Sequence, residues 1–317
     1  MLKRNLGRTP LSIAPIVFGG NVFGWTIDET TSFAVLDAFV EHGFDAIDTA
    51  DVYSAWAPGN SGGESEAIIG RWLKARPGMR EKVTIFTKVG SDLGRPGEKG
   101  LSKDWIVRAA ERSLERLQTD HVDLYFSHWP DQDTAYEETL RAYEDLIRAG
   151  KIRAIGASNL DAGQLGESLE VSRRMGSPRY DVLQPEYNLY DRTAFEGPLR
   201  DLCRREEIGV VTYYSLASGF LTGKYRSEDD LGRSARGGGV AKYLDTRGRS
   251  ILSALDEVSG RHGNKPAEVS LAWLIAREGV TAPIASATTT EQVASFAKAA
   301  ALELTPEDLS LLDAAGV

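Results

Sequence analysis

The sequence predicts an α/β fold, a (β/α)8 TIM barrel in which eight parallel strands close on themselves and helices run between them. Three observations predict it. Short apolar runs alternate with longer amphipathic ones along the whole chain, and eight of the short runs are each followed by a helical stretch. Helical crossovers make consecutive strands parallel. No GxGxxG follows the first strand, although the open doubly wound alternative usually carries one there. A chain of 317 residues suits a single such domain, here 1–317.

The elements follow in order. "KRNLGRTPLSI" reads as a small β-hairpin outside the repeat, with Gly7 in its turn, placed to plug the bottom of the barrel. "IAPIVFGG" (13–20) is the first barrel strand. "TTSFAVLDAFVEHG" (30–43) has helical periodicity, with Asp28 as N-cap and Gly43 as stop. "AIDT" (46–49) is a strand and "SEAIIGRWLKA" (65–75) a helix; "VTIFTK" (83–88) is a strand and 103–117 a helix capped by Ser102. "HVDLYFSH" (121–128) precedes a helix at 135–150 that Gly150 closes. The remaining strands are 153–158, 182–185, 209–214 and 282–286, with helices at 161–175, 195–206, two near 246–277, and 290–301. An extra C-terminal helix, 306–315, starts at Thr305 with Pro306 in its first turn.

Composition removes several function classes. A net charge of −9 argues against a nucleic-acid partner, because phosphate binding needs clustered Lys and Arg. No apolar run reaches the length of a membrane span, and "MLKRNLGRTP" is not an apolar signal segment, so a cytoplasmic protein is expected. Cys203 is the only cysteine, and His42, His121, His128 and His262 are scattered, so no metal is expected.

Barrel enzymes do their chemistry at the C-terminal ends of the strands. The residues there are Asp48 and then Tyr53, Lys88, His128, Ser158, Asn159, Gln184, Tyr213 and Ser286. Taken singly each has a plainer use: Asp48 caps a turn, Lys88 is a surface lysine, His128 packs beside Trp129, Asp51 sits in a turn. Together, four of them suit proton donation to a carbonyl. A tyrosine titrates near 10, too high to donate efficiently, and a cation beside it lowers that value. Lys88 supplies the cation, Asp48 keeps Lys88 charged, and His128 orients the carbonyl. No side chain is a hydride source, so a nicotinamide cofactor is implied.

The chain resembles the aldo-keto reductase superfamily over nearly its whole length. The motifs that carry the resemblance are "LGRT" (6–9), "DTADVY" (48–53), "FTKVG" (86–90), "DLYFSHWPD" (123–131), "IGASN" (155–159), "QPEYN" (184–188) and "YYSLASGFLTGKY" (213–225). It implies that Asp48, Tyr53, Lys88 and His128 form a catalytic tetrad with Tyr53 as general acid. Ser158, Asn159 and Gln184 are implied to hold the nicotinamide carboxamide, and Tyr213 to stack on its ring. Ser215, Leu216, Gly219 and Lys224 would run across the pyrophosphate, and "SATTTEQ" (286–292), with Ser286 and Gln292, would hold the adenosine phosphate. There are departures. The usual Tyr-Ser-Pro-Leu reads Tyr213-Tyr214-Ser215-Leu216, the phosphate pocket has no Arg or Lys, and "GGN" (19–21) replaces a Gly-Thr pair.

The expected cofactor is therefore NADPH, favoured over NADH by tens rather than thousands; the substrate is a small-molecule carbonyl. Trp25, Trp56 and Trp129 would line a pocket for an apolar or cyclic compound, rimmed by loops 54–63 and 91–100, with 226–245 as lid, cofactor clamp or plain surface loop. The family also includes potassium-channel β-subunits, so a cofactor-binding auxiliary subunit is the alternative, although no long regulatory N-terminal extension is evident. A Schiff-base enzyme using Lys88 is a more distant rival. The sequence leaves the oligomeric state open.

Overall fold

The computed structural model describes residues 1–234 and 236–316, so Ala235 of the polar 226–245 segment lies outside it. Strands β1 (Arg4–Asn5) and β2 (Ser12–Ile13) form the antiparallel hairpin. The barrel strands are β3 (Val17–Gly19), β4 (Ala46–Asp48), β5 (Thr84–Val89), β6 (Val122–Ser127), β7 (Ile152–Ser158), β8 (Val182–Gln184), β9 (Gly209–Thr212) and β10 (Ala282–Ala285). Neighbours pair in parallel and β10 closes on β3.

The twofold repeat of a strand decides which residues reach the site. Val17, Ala46, Phe86, Leu124, Phe126, Ala154, Val182, Val211 and Ile284 pack together inside the barrel. Counting on by twos along the same inward rows gives Asp48, Lys88, His128, Ser158, Gln184, Tyr213 and Ser286. The polar site is thus the top layer of the barrel's own filling. Beneath it, Gly156 makes room for Phe126: a Cβ on Gly156 would lie 2.4 Å from the phenyl ring.

The hairpin closes the other end. Leu6, Leu11 and Ile13 join the interior cluster. Gly7 has φ +61 and lies so close to the starts of β8 and β9 that a Cβ would meet the Asp181 carbonyl oxygen at 2.3 Å.

The outer ring comprises α1 (Glu29–Glu41), α2 (Glu64–Ala75), α3 (Lys103–Leu117), α4 (Tyr136–Arg148), α5 (Ala162–Met175), α6 (Pro198–Arg205), α7 (Thr246–His262), α8 (Pro266–Ala276) and α9 (Thr290–Ala301). Asp28 caps α1 by accepting from the Thr31 N–H, as the sequence predicts. Helix α6 is shorter than expected because Gly197, at φ +88, breaks the chain before Pro198 starts the helix. The extra C-terminal helix, α10 (Pro306–Ala315), is tied to the end of α7 through Asp308, which bonds Arg261 at 2.8 Å and His262 at 2.7 Å. No helix among the described residues is long and apolar enough to cross a membrane.

Segment 226–245 is not a free loop. It forms two short 3-10 turns, Glu228–Arg233 and Gly237–Tyr243. Tyr243 is buried on Phe220, with ring centroids 5.3 Å apart, and donates its hydroxyl to Asp191 at 2.8 Å.

Candidate active site

Lys88 is fully buried and its three ammonium protons meet three acceptors: Asp48 Oδ2 at 2.6 Å, the Thr49 carbonyl at 2.8 Å and the Tyr53 hydroxyl at 2.8 Å. Tyr53 in turn lies 3.2 Å from Asp48 Oδ2, to which it donates. The Gln184 amide donates to the other carboxylate oxygen at 2.9 Å. A buried ion pair is tolerable only when its remaining donors and acceptors are satisfied, and here they are. The loop that brings Tyr53 back over the barrel is fixed locally. Ser54 takes φ +73 and donates its hydroxyl to the Phe23 carbonyl at 2.6 Å. His128 follows β6, donates its backbone N–H to Val89 at 2.8 Å, and has its ring centroid 6.0 Å from that of Tyr53. The four predicted tetrad residues are brought together.

Their electrostatics correct one expectation. The sequence predicts a tyrosine with a lowered pKa. Instead burial, followed by the Asp48 carboxylate, pushes the Tyr53 phenol well above its ordinary range. Burial also lowers Lys88, with Asp48 opposing. Burial, with Lys88 adding to it, holds the His128 imidazole well below its usual value, so the ring is neutral. Lys88 donates a hydrogen bond to the phenolic oxygen, a contact that favours a phenolate, but it does not make the resting phenol acidic.

The groups implied for the carboxamide form one chain of bonds. Ser158 donates to the Gln184 carbonyl at 2.7 Å. Asn159, at φ +63, donates to the His128 carbonyl at 2.9 Å and accepts from the Tyr213 hydroxyl at 2.7 Å. The loop after β9 is strained: Tyr214, Ala217 and Ser218 all have positive φ, and Gly219 lies at φ +96 directly beneath Lys224. Such conformations cost energy and cluster at ligand clamps. Exposed Lys224 rests on the Tyr225 ring at 5.0 Å, and Leu216 is half-buried. Ser215 is buried and turned back to the Thr212 carbonyl at 3.0 Å, away from the loop crest.

At the adenosine end, Gln292 accepts from the Thr288 N–H at 2.8 Å, and the Thr289 hydroxyl caps α9 by accepting from the Gln292 N–H. Glu291 is the acidic residue of that first turn, and its carboxyl is held below the usual range by its own backbone N–H and the Thr289 hydroxyl. Donors expected for a phosphate are therefore already engaged, partly by a carboxylate, Glu291, that no motif in the sequence marks.

Ser286 donates to Asn21 Oδ1 at 2.8 Å, and Arg236 reaches the same oxygen at 3.2 Å from segment 226–245. Arg236 also stacks on Trp25 at 5.4 Å, and burial lowers its pKa. Among the described residues no carboxylate pairs with it. Trp25 meets Trp56 edge-on at 5.5 Å, Trp56 meets Tyr53 at 6.1 Å, and Trp129 stacks on His128 at 5.9 Å. Trp56, Trp129 and Tyr214 are each about half exposed, at 49%, 48% and 50%. An aromatic arc thus rims the mouth around Tyr53.

A closed parallel barrel with a tyrosine hydroxyl held at its mouth by a buried lysine–aspartate pair defines an enzyme class built for proton transfer. Residues 15–316 match the aldo/keto reductase family. The chain belongs to that family and is an oxidoreductase. It is 34% identical to an uncharacterized oxidoreductase of Bacillus subtilis over 97% of this chain and 94% of that one. It is 31% identical to a probable voltage-gated potassium channel subunit beta of Oryza sativa subsp. japonica, covering 99% and 96%. It is 30% identical to an aldo-keto reductase of Alternaria alternata, covering 98% and 91%.

Proposed function

We propose that this protein reduces an aldehyde or ketone to an alcohol, reversibly, with NADPH or NADH as cofactor and Tyr53 as proton donor. The observation that carries the reading is the Tyr53 hydroxyl, fixed between Lys88 at 2.8 Å and Asp48 at 3.2 Å and facing a mouth rimmed by aromatic rings. The mouth fits a nicotinamide dinucleotide. Among the described residues the Gln184 amide oxygen has no hydrogen-bond partner and no carboxylate pairs with the Arg236 guanidinium, and a strained loop follows β9. Gln184, Ser158 and Asn159 would hold the carboxamide, Tyr213 the ring, and Lys224 with Arg236 the phosphates. The bound cofactor supplies the hydride.

The chain's own residues do the rest. His128, neutral, donates one hydrogen bond to the carbonyl oxygen and orients it. Tyr53 gives up its proton as that oxygen becomes an alkoxide, which is far more basic than a phenolate, so a high resting pKa does not block the transfer. Lys88 stabilises the phenolate left behind, and Asp48 keeps Lys88 charged. Trp25, Trp56 and Trp129 favour an apolar or cyclic substrate.

The test is a panel of aliphatic, aromatic and cyclic carbonyls scored by oxidation of NADPH and of NADH. Turnover biased toward the cyclic and aromatic members supports the reading. The alternative, an auxiliary subunit that binds cofactor, predicts tight dinucleotide binding with no turnover across the panel.

A further inference from the structure

Ser91 sits where two strands end side by side. Val89 and Ser127 are opposite each other across β5 and β6. Gly90, at φ +114, then turns the chain inward, and His128 follows Ser127. The Ser91 hydroxyl and His128 Nδ1 meet at 3.0 Å. Ser91 is only 7% exposed, and among the described residues its hydroxyl has no other partner.

That isolation decides the direction of the bond. The pair has two possible arrangements. If Nδ1 carries the proton and donates, the Ser91 hydroxyl proton is left buried without an acceptor, which costs free energy. If Ser91 donates to an unprotonated Nδ1, both groups are satisfied. A neutral imidazole carries one N–H, so it must then be at Nε2. The rest of the surroundings hold the ring without choosing its tautomer. The His128 carbonyl accepts from Asn159, Trp129 stacks on the imidazole with planes 14° apart, and Tyr53 meets it edge-on.

We propose that Ser91 is a positioning residue for the reduction: by donating to Nδ1 it holds His128 in the Nε2–H tautomer, the form that can donate to the substrate's carbonyl oxygen. It rests on the carbonyl-reductase reading above. Ser91 does not touch the reacting atoms; it acts through His128.

The test separates the two. Protein labelled with ¹⁵N at histidine, with His128 assigned by its loss in His128→Asn, reports the tautomer without any turnover. Wild type is expected to show His128 as Nε2–H, and Ser91→Ala a shift toward Nδ1–H. In the carbonyl assay Ser91→Ala should lower kcat by about tenfold, the scale of one hydrogen bond. The Kd for NADPH should be unchanged, and Ser91→Thr, which keeps the hydroxyl, should restore both tautomer and kcat. A wild-type Nδ1–H signal overturns the proposal, and so does a Ser91→Ala enzyme with wild-type kcat. A wild-type protein that turns over no carbonyl defeats the reductase reading instead, whatever the tautomer.

Discussion

Lys88 spends all three of its protons inside the site, so on the proposed function the proton that passes to the substrate is the Tyr53 hydroxyl proton, held toward Asp48 at rest. Tyr53→Phe removes that proton and leaves the Asp48–Lys88 pair in place. General acid catalysis contributes about 10²–10⁴-fold, so turnover should fall by that order while dinucleotide binding, followed by fluorescence quenching, stays the same. A variant with near-normal turnover would contradict the assignment. Asp51, three residues after Asp48, belongs to stability rather than to the reaction. It is buried, both of its carboxylate oxygens lack side-chain or backbone partners among the described residues, and burial together with Glu66 raises its pKa well above the usual range. The folded state therefore binds a proton that the unfolded state releases near pH 4. Its stabilising share is complete below that pH and is lost as pH rises toward the folded-state pKa. Asp51→Asn should melt with wild type at pH 4 and progressively above it toward pH 8; a pH-independent difference in Tm would rule out a buried neutral carboxyl.

Among the elements, the proposed function makes segment 226–245 and the start of α9 the parts that would set how the cofactor is held. Arg236 is the cation that the segment brings to Asn21 and Trp25. Arg236→Met should weaken binding of NADPH and NADH alike, read as a rise in both Kd values, with little change in kcat at saturation. An unchanged Kd for both would leave the segment a surface strap. Glu291 is expected to act at one cofactor only. Its carboxylate sits in the first turn of α9, where a 2′-phosphate would seek the same N–H groups. Relative to the margin of tens that the hydroxyls alone suggest, Glu291 is expected to reduce the preference for NADPH on the proposed function. Glu291→Gln should raise the kcat/KM ratio of NADPH to NADH by about two- to fivefold, the usual effect of one charge at a helix terminus. A ratio that stays put would mean the phosphate binds elsewhere. The sequence shows Asp48, Lys88 and His128 plainly, because each continues a two-residue row whose earlier members are apolar. It does not show Arg236 or Ser91. Arg236 lies in a glycine-rich stretch without periodicity, and only the packing of Tyr243 on Phe220 and Asp191 fixes where that stretch lies. Ser91 follows a glycine turn whose direction no residue pattern encodes. The sign of the Tyr53 pKa shift is not legible in the sequence for a related reason, since it depends first on depth of burial, with the Asp48 carboxylate adding to it.

Over the whole molecule, the barrel separates a face for chemistry from a face for closure, and Gly7 tests the separation. The hairpin that carries it covers the strand starts, while Asp48, Tyr53, Lys88 and His128 stand at or beyond the strand ends. At φ +61 an L-residue is strained by about 1–3 kcal/mol. A Cβ there would also lie 2.3 Å from the Asp181 carbonyl oxygen and 2.6 Å from the Gly209 nitrogen, both backbone atoms that cannot rotate away. Either the hairpin lifts, uncovering Leu6 and Leu11, or the starts of β8 and β9 shift. Both routes lower stability, and because unfolding entropy grows with chain length each kcal/mol moves Tm by about 1–2 °C in a chain of this size. Gly7→Ala should therefore melt several degrees below wild type. The Lys88 hydrogen bonds lie at the far end of the interior stack, so kcat per folded molecule, measured well below the new Tm, should match wild type. A Gly7→Ala protein that keeps its Tm but loses kcat would mean that the hairpin reaches the site through the barrel, and the two faces would not be independent.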